Sequence, residues 1–230
     1  MVDVAANYRK IIDRISEAAQ KANRDPQEIK LLAAAKSQSI ELIRAAIAAG
    51  VRLIGENYVQ EAESKKQVIA ETVEWHMIGH LQRNKVKAAL NTFDLIESLD
   101  SVALALELDK EGRKKGKTVR TFIEVNLGDE RSKAGIGRDK VAELVKRAGE
   151  LAHLRLEGLM AVPPFNEDPE EVRPCFRALR NLQTELQCLQ IPNARLAELS
   201  MGMTHDYPIA VEEGATLVRI GTALFGPRKG

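Results

Sequence analysis

The sequence predicts an α/β protein: a single closed (β/α)8 barrel of the TIM type, with one extra helix in front. Three observations carry that expectation. Short β-branched and apolar runs alternate with longer segments whose apolar residues recur at helical spacing. The alternation repeats about eight times. The chain's 230 residues lie close to the ~250 typical of such a barrel. A doubly wound open sheet would show the same local pattern, and the strand count is what favours the closed form. No repeat, low-complexity tract or linker divides the chain, so residues 1–230 read as one domain.

The leading helix is read from Val4, Tyr8, Ile11, Ile12, Ile15 and Ala19, which share one face, with Asp3 as its N-cap. The first strand spans Leu31 to Ala35, and a helix through Ile40, Ile43 and Ile47 ends at Gly50. Val51 to Ile54 is the second strand, after which Gly55-Glu56-Asn57 opens a helix towards Thr72. Glu74 to Ile78 and Asp94 to Glu97 are the third and fourth strands, separated by helical Gln82 to Leu90. Ser98 or Asp100 caps the helix that ends near Gly112. Thr118 to Val125 is the clearest strand, being β-branched and preceded by the turn-like Lys115-Gly116-Lys117. A polar loop and a helix from Asp139 to Leu151 lead to a sixth strand, Leu154 to Leu159. Pro163-Pro164 punctuates the loop before a helix ending near Leu189. Arg195 to Leu199, helical Thr204 to Glu213, and Thr216 to Ile220 complete the series.

Composition removes several function classes. Hydrophobic residues at 44% and charged residues at 29% are globular values. A net charge of +1 offers no electrostatic basis for a nucleic-acid or membrane-surface partner. Aromatics at 4% leave little for stacking on bases. The acidic, interrupted N-terminus is unlike a signal peptide, and no stretch approaches the roughly 20 apolar residues of a membrane span. Cys175 and Cys188 form no metal or redox motif, so the expectation is a cytoplasmic protein.

Position then points to function, because such barrels place their sites at the C-terminal ends of the strands. Lys36 ends the first strand, Asn57 follows the second, His76 lies in the third, and Asn126 ends the fifth. Met160 follows the sixth, Ser200 ends the seventh and Arg219 ends the eighth. Lys36 leaves a buried run of small residues, where partial desolvation favours the neutral amine that attacks an aldehyde. Ser200-Met201-Gly202-Met203-Thr204 and Gly221-Thr222 follow the last two strands, the recurrent phosphate position of this fold. A phosphate at one end and an aldehyde-trapping lysine at the other outline pyridoxal 5'-phosphate. Arg219 would face its pyridine nitrogen, or else pair with Glu212 or Glu213. His76 and His80 stand four apart, but with no third ligand and no HExxH pattern no metal site is expected.

These segments resemble the pyridoxal phosphate homeostasis protein family, which is related to the N-terminal barrel of alanine racemase. The matching stretches are Ala34-Ala35-Lys36, Gly55 to Glu61, Trp75 to Lys85, Asn126 with Glu130, Lys133 and Gly135, Gly158-Leu159-Met160, Leu199 to Asp206, and Val218 to Gly226. The resemblance implies a Schiff base on Lys36, a phosphate held around Ser200, Met201, Gly202, Gly221 and Thr222, Arg219 near the pyridine nitrogen, and Asn57 and His76 in the pocket. Ala35 and Thr204 stand where the family usually has serine. It implies no established catalytic activity, and the residues agree. Arginine keeps its proton, so the ring nitrogen stays unprotonated and the ring is a poor electron sink. Alanine racemase adds a second, β-rich domain and a tyrosine acid/base from a partner subunit; the expectation here is that the second domain is lacking, which leaves Tyr8, Tyr58 and Tyr207 to weigh. Of Tyr8, Tyr58 and Tyr207, the first reads as core and the second as the start of a helix. The expectation is a monomeric protein that binds and buffers pyridoxal phosphate and hands it to apoenzymes. The alternatives are a weak amino-acid racemase and a cofactor-free Schiff-base aldolase.

Overall fold

The structure, a computed structural model, describes residues 2–128 and 134–227. Helix α1 (Val4–Lys21) comes first, capped by the Asp3 carboxylate accepting from the Ala6 amide at 2.9 Å. Then follow β1 (Lys30–Ala34), α2 (Ile40–Ala49), β2 (Leu53–Glu56), α3 (Val59–Val68), β3 (Glu74–Met77), α4 (Val86–Thr92), β4 (Leu95–Leu99) and α5 (Val102–Lys114). The second half contains β5 (Val119–Asn126), β6 (Ile136–Gly137), α6 (Arg138–Gly149), β7 (Leu154–Met160), α7 (Arg173–Gln187), β8 (Ala194–Ser200), α8 (Tyr207–Glu212), β9 (Leu217–Ile220) and α9 (Thr222–Phe225).

All pairings are parallel, in the order β4-β3-β2-β1-β9-β8-β7-β5, and β4 also pairs with β5, which closes the ring. Eight strands therefore form a barrel, and the two-residue β6 attaches to the end of β5 outside it. The open-sheet alternative is removed by that closing pair. Two apolar clusters follow from the alternation of side chains along each strand. The larger one lies between strands and helices, where α7 contributes Phe176, Leu179, Leu182 and Leu186. The smaller one, Leu32, Leu95, Phe122, Met160 and Leu217, fills the barrel interior. Gly55 belongs to that interior: a Cβ there would come within 2.3 Å of Leu32 and 2.9 Å of Ile78. Helix α1 packs against α2, α8 and α9, and the Asn7 side chain donates to the Leu224 carbonyl at 3.0 Å.

Several boundaries differ from the sequence reading. Gly55 and Glu56 extend β2 rather than opening a helix, because the Glu56 carboxylate is buried against Lys65. Helix α5 is capped by Ser101, since β4 continues through buried Glu97 and Ser98 to Leu99. Helix α8 starts at Tyr207, three residues beyond Thr204. Glu130 and Lys133 lie outside the described residues.

Candidate functional site

At the C-terminal ends of the strands a cavity of about 840 Å³ opens. Lys36 enters it from the turn after β1, Asn57 from the end of β2, Glu124 from β5, and Arg219, Gly221 and Thr222 from β9 and the start of α9. The Lys36 turn is well defined: the Ala35 amide donates to the Gly55 carbonyl at 2.8 Å and the Gln38 amide to the Ala35 carbonyl at 3.0 Å. Ser37 sits there at φ 60°, in the left-handed region. Lys36 is half-buried. The Asn57 side-chain oxygen is buried without a hydrogen-bond partner, an acceptor at the cavity wall that a donor on a ligand would satisfy.

Arg219 forms the floor. It is buried, and its guanidinium reaches across the ends of β8 and β7. Nη1 donates to the Ser200 carbonyl at 2.7 Å and to Ser200 Oγ at 2.6 Å, and Nη2 donates to the Ala161 carbonyl at 2.8 Å. Burial pulls its pKa down, and the charges of Glu97, Glu124 and Asp206 oppose that. The alternative ion pair is not formed, because Glu212 binds Lys21 and Arg173, and Glu213 binds Arg173 and Arg177.

The remaining expected residues lie below the cavity rather than in its wall. Ser200 Oγ is spent on the interior: it donates to Glu97 Oε2 at 2.5 Å and accepts from Arg219. Met201 is fully buried, its amide donating to the Leu217 carbonyl at 3.1 Å. Gly202 is glycine for a local reason. Its φ is 90°, a Cβ would meet Ala210 Cβ at 2.5 Å, and its carbonyl accepts from the Arg219 amide at 2.9 Å. His76 lies deeper still, with Nδ1 2.6 Å from Glu97 Oε1 and Nε2 3.2 Å from Glu74 Oε1. Burial works against its positive charge, but hydrogen bonds to the two carboxylates more than compensate, and its pKa is pushed up to about 9. Glu74 is held down to about 2, chiefly by the His76 hydrogen bond. His80, by contrast, is exposed and 3.4 Å from Asp100, so the two histidines serve different partners.

A polar line therefore runs down the barrel axis from Arg219 through Ser200, Glu97 and His76 to Glu74 and Arg120. It ends at a second cavity of about 340 Å³ at the base, walled in part by Lys30, Glu74, His76 and Arg120 and by Tyr8 and Ile12 of α1. Its charges are largely matched, with Lys30 to Glu198 at 2.6 Å and Arg120 to Glu157 at 2.9 Å.

Glu124 is the site residue that the sequence reading missed. It is 6% exposed and faces the mouth, where burial raises its pKa to about 7 against the pull of Arg219, with Asp100 and Glu97 adding to the rise. The signal was available: two residues from inward-facing Phe122 in a regular strand, Glu124 has to face inward as well.

Comparison with known proteins agrees with this fold. Residues 6–229 match the family described as alanine racemase, N-terminal domain. The pyridoxal phosphate homeostasis protein of Aquifex aeolicus (strain VF5) is 44% identical over 221 residues, 96% of each chain. The structure of PipY from Synechococcus elongatus PCC7942 with pyridoxal phosphate (PLP) bound superposes with a TM-score of 0.82 at 38% identity, covering 92% of this chain and 100% of that one. Alanine racemase from Clostridium difficile 630 shares the fold, with a TM-score of 0.76 at 12% identity over 99% of this chain and 57% of that one.

Proposed function

Since the chain belongs to the alanine racemase N-terminal domain family, and within it to the pyridoxal phosphate homeostasis proteins, we propose that it carries pyridoxal 5'-phosphate as a Schiff base on Lys36. In that role it holds and buffers the cofactor and hands it to apoenzymes. One observation carries the reading: Lys36 and Arg219, from the first and last strands, open into one cavity whose wall also presents the unsatisfied Asn57 oxygen. The cofactor supplies an aldehyde for an amine, an aromatic ring with a basic nitrogen, and a phosphate. Lys36 offers the amine. Gly221 and Thr222 offer backbone and hydroxyl to a phosphate, with Ser200, Met201 and Gly202 shaping the ledge beneath. Arg219, locked by three hydrogen bonds, offers a cation that does not release its proton.

Storage is favoured over turnover for two reasons. A permanently protonated guanidinium against the ring nitrogen keeps that nitrogen unprotonated, which weakens the ring as an electron sink. Tyr207, beside the expected phosphate loop in sequence, is buried with Arg14 over its ring at 5.7 Å, and neither it nor exposed Tyr58 lines the cavity. Among the described residues no helix is long and apolar enough to cross a membrane. We place the protein in the cytoplasm as a monomer, with apoenzymes as transient partners.

Borohydride reduction in the presence of pyridoxal phosphate, followed by peptide mapping, tests the reading. A visible absorption band, with the reduced adduct on Lys36 and absent in Lys36→Ala, is expected. An unlabelled, colourless protein that cleaves a sugar phosphate would replace it with a cofactor-free aldolase. Loss of optical rotation from alanine or serine, abolished by Lys36→Ala, would replace storage with racemisation.

A further inference from the structure

The backbone on both sides of Lys36 is tied to one cluster in α3. Lys65 is a buried lysine, 7% exposed. Its Nζ donates to the Ala35 carbonyl, to Glu56 Oε1 and to Glu61 Oε1, each at 2.7 Å. Those contacts use all three protons of the ammonium group. The same Glu61 oxygen accepts the Ser37 amide at 2.6 Å. Ala35 precedes Lys36 and Ser37 follows it, so the cluster grips the cavity lysine from both flanks.

Stability alone does not account for this arrangement. A buried ammonium with two carboxylates is costly to desolvate, and packed apolar side chains would fill the same space at least as well. Glu56 Oε2 is left buried without a partner. Ser37 is held at φ 60°, a conformation a serine keeps where surrounding contacts over-determine it. What the cluster supplies is one fixed course for the chain through Ala35, Lys36 and Ser37.

We propose that Lys65, Glu56 and Glu61 form a positioning unit that fixes the Lys36 turn so that its amine meets the aldehyde of a bound cofactor. The proposal rests on Lys36 being the cofactor lysine. None of the three residues lines the mouth cavity, so they act through the backbone of the turn. Displacement of a reacting amine by about 1 Å costs on the order of 100-fold in such a reaction.

The test uses the full chain and pyridoxal phosphate itself. Glu61→Ala removes the acceptor shared by Ser37 and Lys65, Glu61→Gln keeps an oxygen for the Ser37 amide, and Lys65→Met removes the ammonium. Glu61 is partly exposed, so its variants keep the protein folded if Lys65→Met does not. Readouts are the rate of borohydride trapping on Lys36, the midpoint of the visible band against pH, and circular dichroism as a fold control. Trapping at least tenfold slower in Glu61→Ala, with a displaced pH midpoint, an unchanged fold and partial recovery in Glu61→Gln, is expected. Wild-type rates and midpoint in folded Glu61→Ala overturn the positioning role and leave the cofactor reading standing. Absence of the adduct in the wild type overturns both.

Discussion

Raising the pH from 7 to 9.5 is expected to strip His76 of its charge and to cost the protein much of what that contact contributes. The imidazole is buried between Glu97 at 2.6 Å and Glu74 at 3.2 Å, and its pKa rises from an ordinary 6.5 to about 9. A histidine whose folded pKa is raised gives stability that is fully present below pH ~6.5 and is lost as pH climbs through ~9. A rise of that size corresponds to about 3 kcal/mol, taken as an order of magnitude. Against a total stability of roughly 5–15 kcal/mol this is a large fraction. Glu56 and Glu124, each raised to about 7 by burial, exert their pH dependence between ~4.5 and ~7; above pH 7 burial also lowers Lys117 and raises Cys175, and comparison with His76→Gln subtracts those contributions. Urea unfolding at half-unit steps, run in parallel on wild type and His76→Gln, reads the effect. The wild type is expected to lose about 2–3 kcal/mol across the window, while His76→Gln starts lower and stays nearly flat. Parallel curves for the two proteins would refute a charged His76 in the folded state.

Three further outcomes follow from the site. Ionisation of Glu124 above pH ~7 puts a negative charge beside Arg219, so affinity for an anionic phosphate cofactor is expected to fall by the order of tenfold towards pH 8.5, and Glu124→Gln should remove that fall in an absorbance titration. Gly202→Ala forces a side chain onto φ 90° and against Ala210, and a loss of about 2–4 kcal/mol in denaturant unfolding is expected. Ser200→Ala leaves Glu97 Oε2 without its hydroxyl donor and frees one Arg219 contact; a loss of about 1–3 kcal/mol, together with weaker cofactor binding by titration, is the expected result.

Much of this molecule was legible in its sequence because the barrel repeats one signal. Strand–helix alternation gave the eight strands, and the fold rule that sites lie at strand C-termini put Lys36 and Arg219 at one mouth, where the structure has them. Where the reading slipped, a buried polar residue had taken a place that polarity assigned to loop or helix. Glu56 looked like the start of a helix because its partner Lys65 lies nine residues on, in the next element. Ser98, read as a helix cap, obscured the end of β4 in the same way. Ser200 and His76 were assigned to the pocket by type and strand position, but their depth depends on hydrogen bonds to Glu97, which come from a third strand and leave no local trace. Gly202 shows the converse: a glycine in the expected place, whose φ of 90° and packing on Ala210 already require it.

The pairing of β1 with β9 has a consequence for how the protein is made. Lys36 and Arg219 lie far apart in the sequence, and they are brought together where Leu31 meets Val218 and Ala33 meets Ile220. Contacts so distant in sequence form late, after the nearer strand pairs are in place. A nascent chain halted before β9 thus carries the lysine without the floor of its pocket. The β1–β9 pair thus ties the making of the mouth cavity to the closing of the fold: a chain that lacks this pair has the lysine but not the wall opposite it.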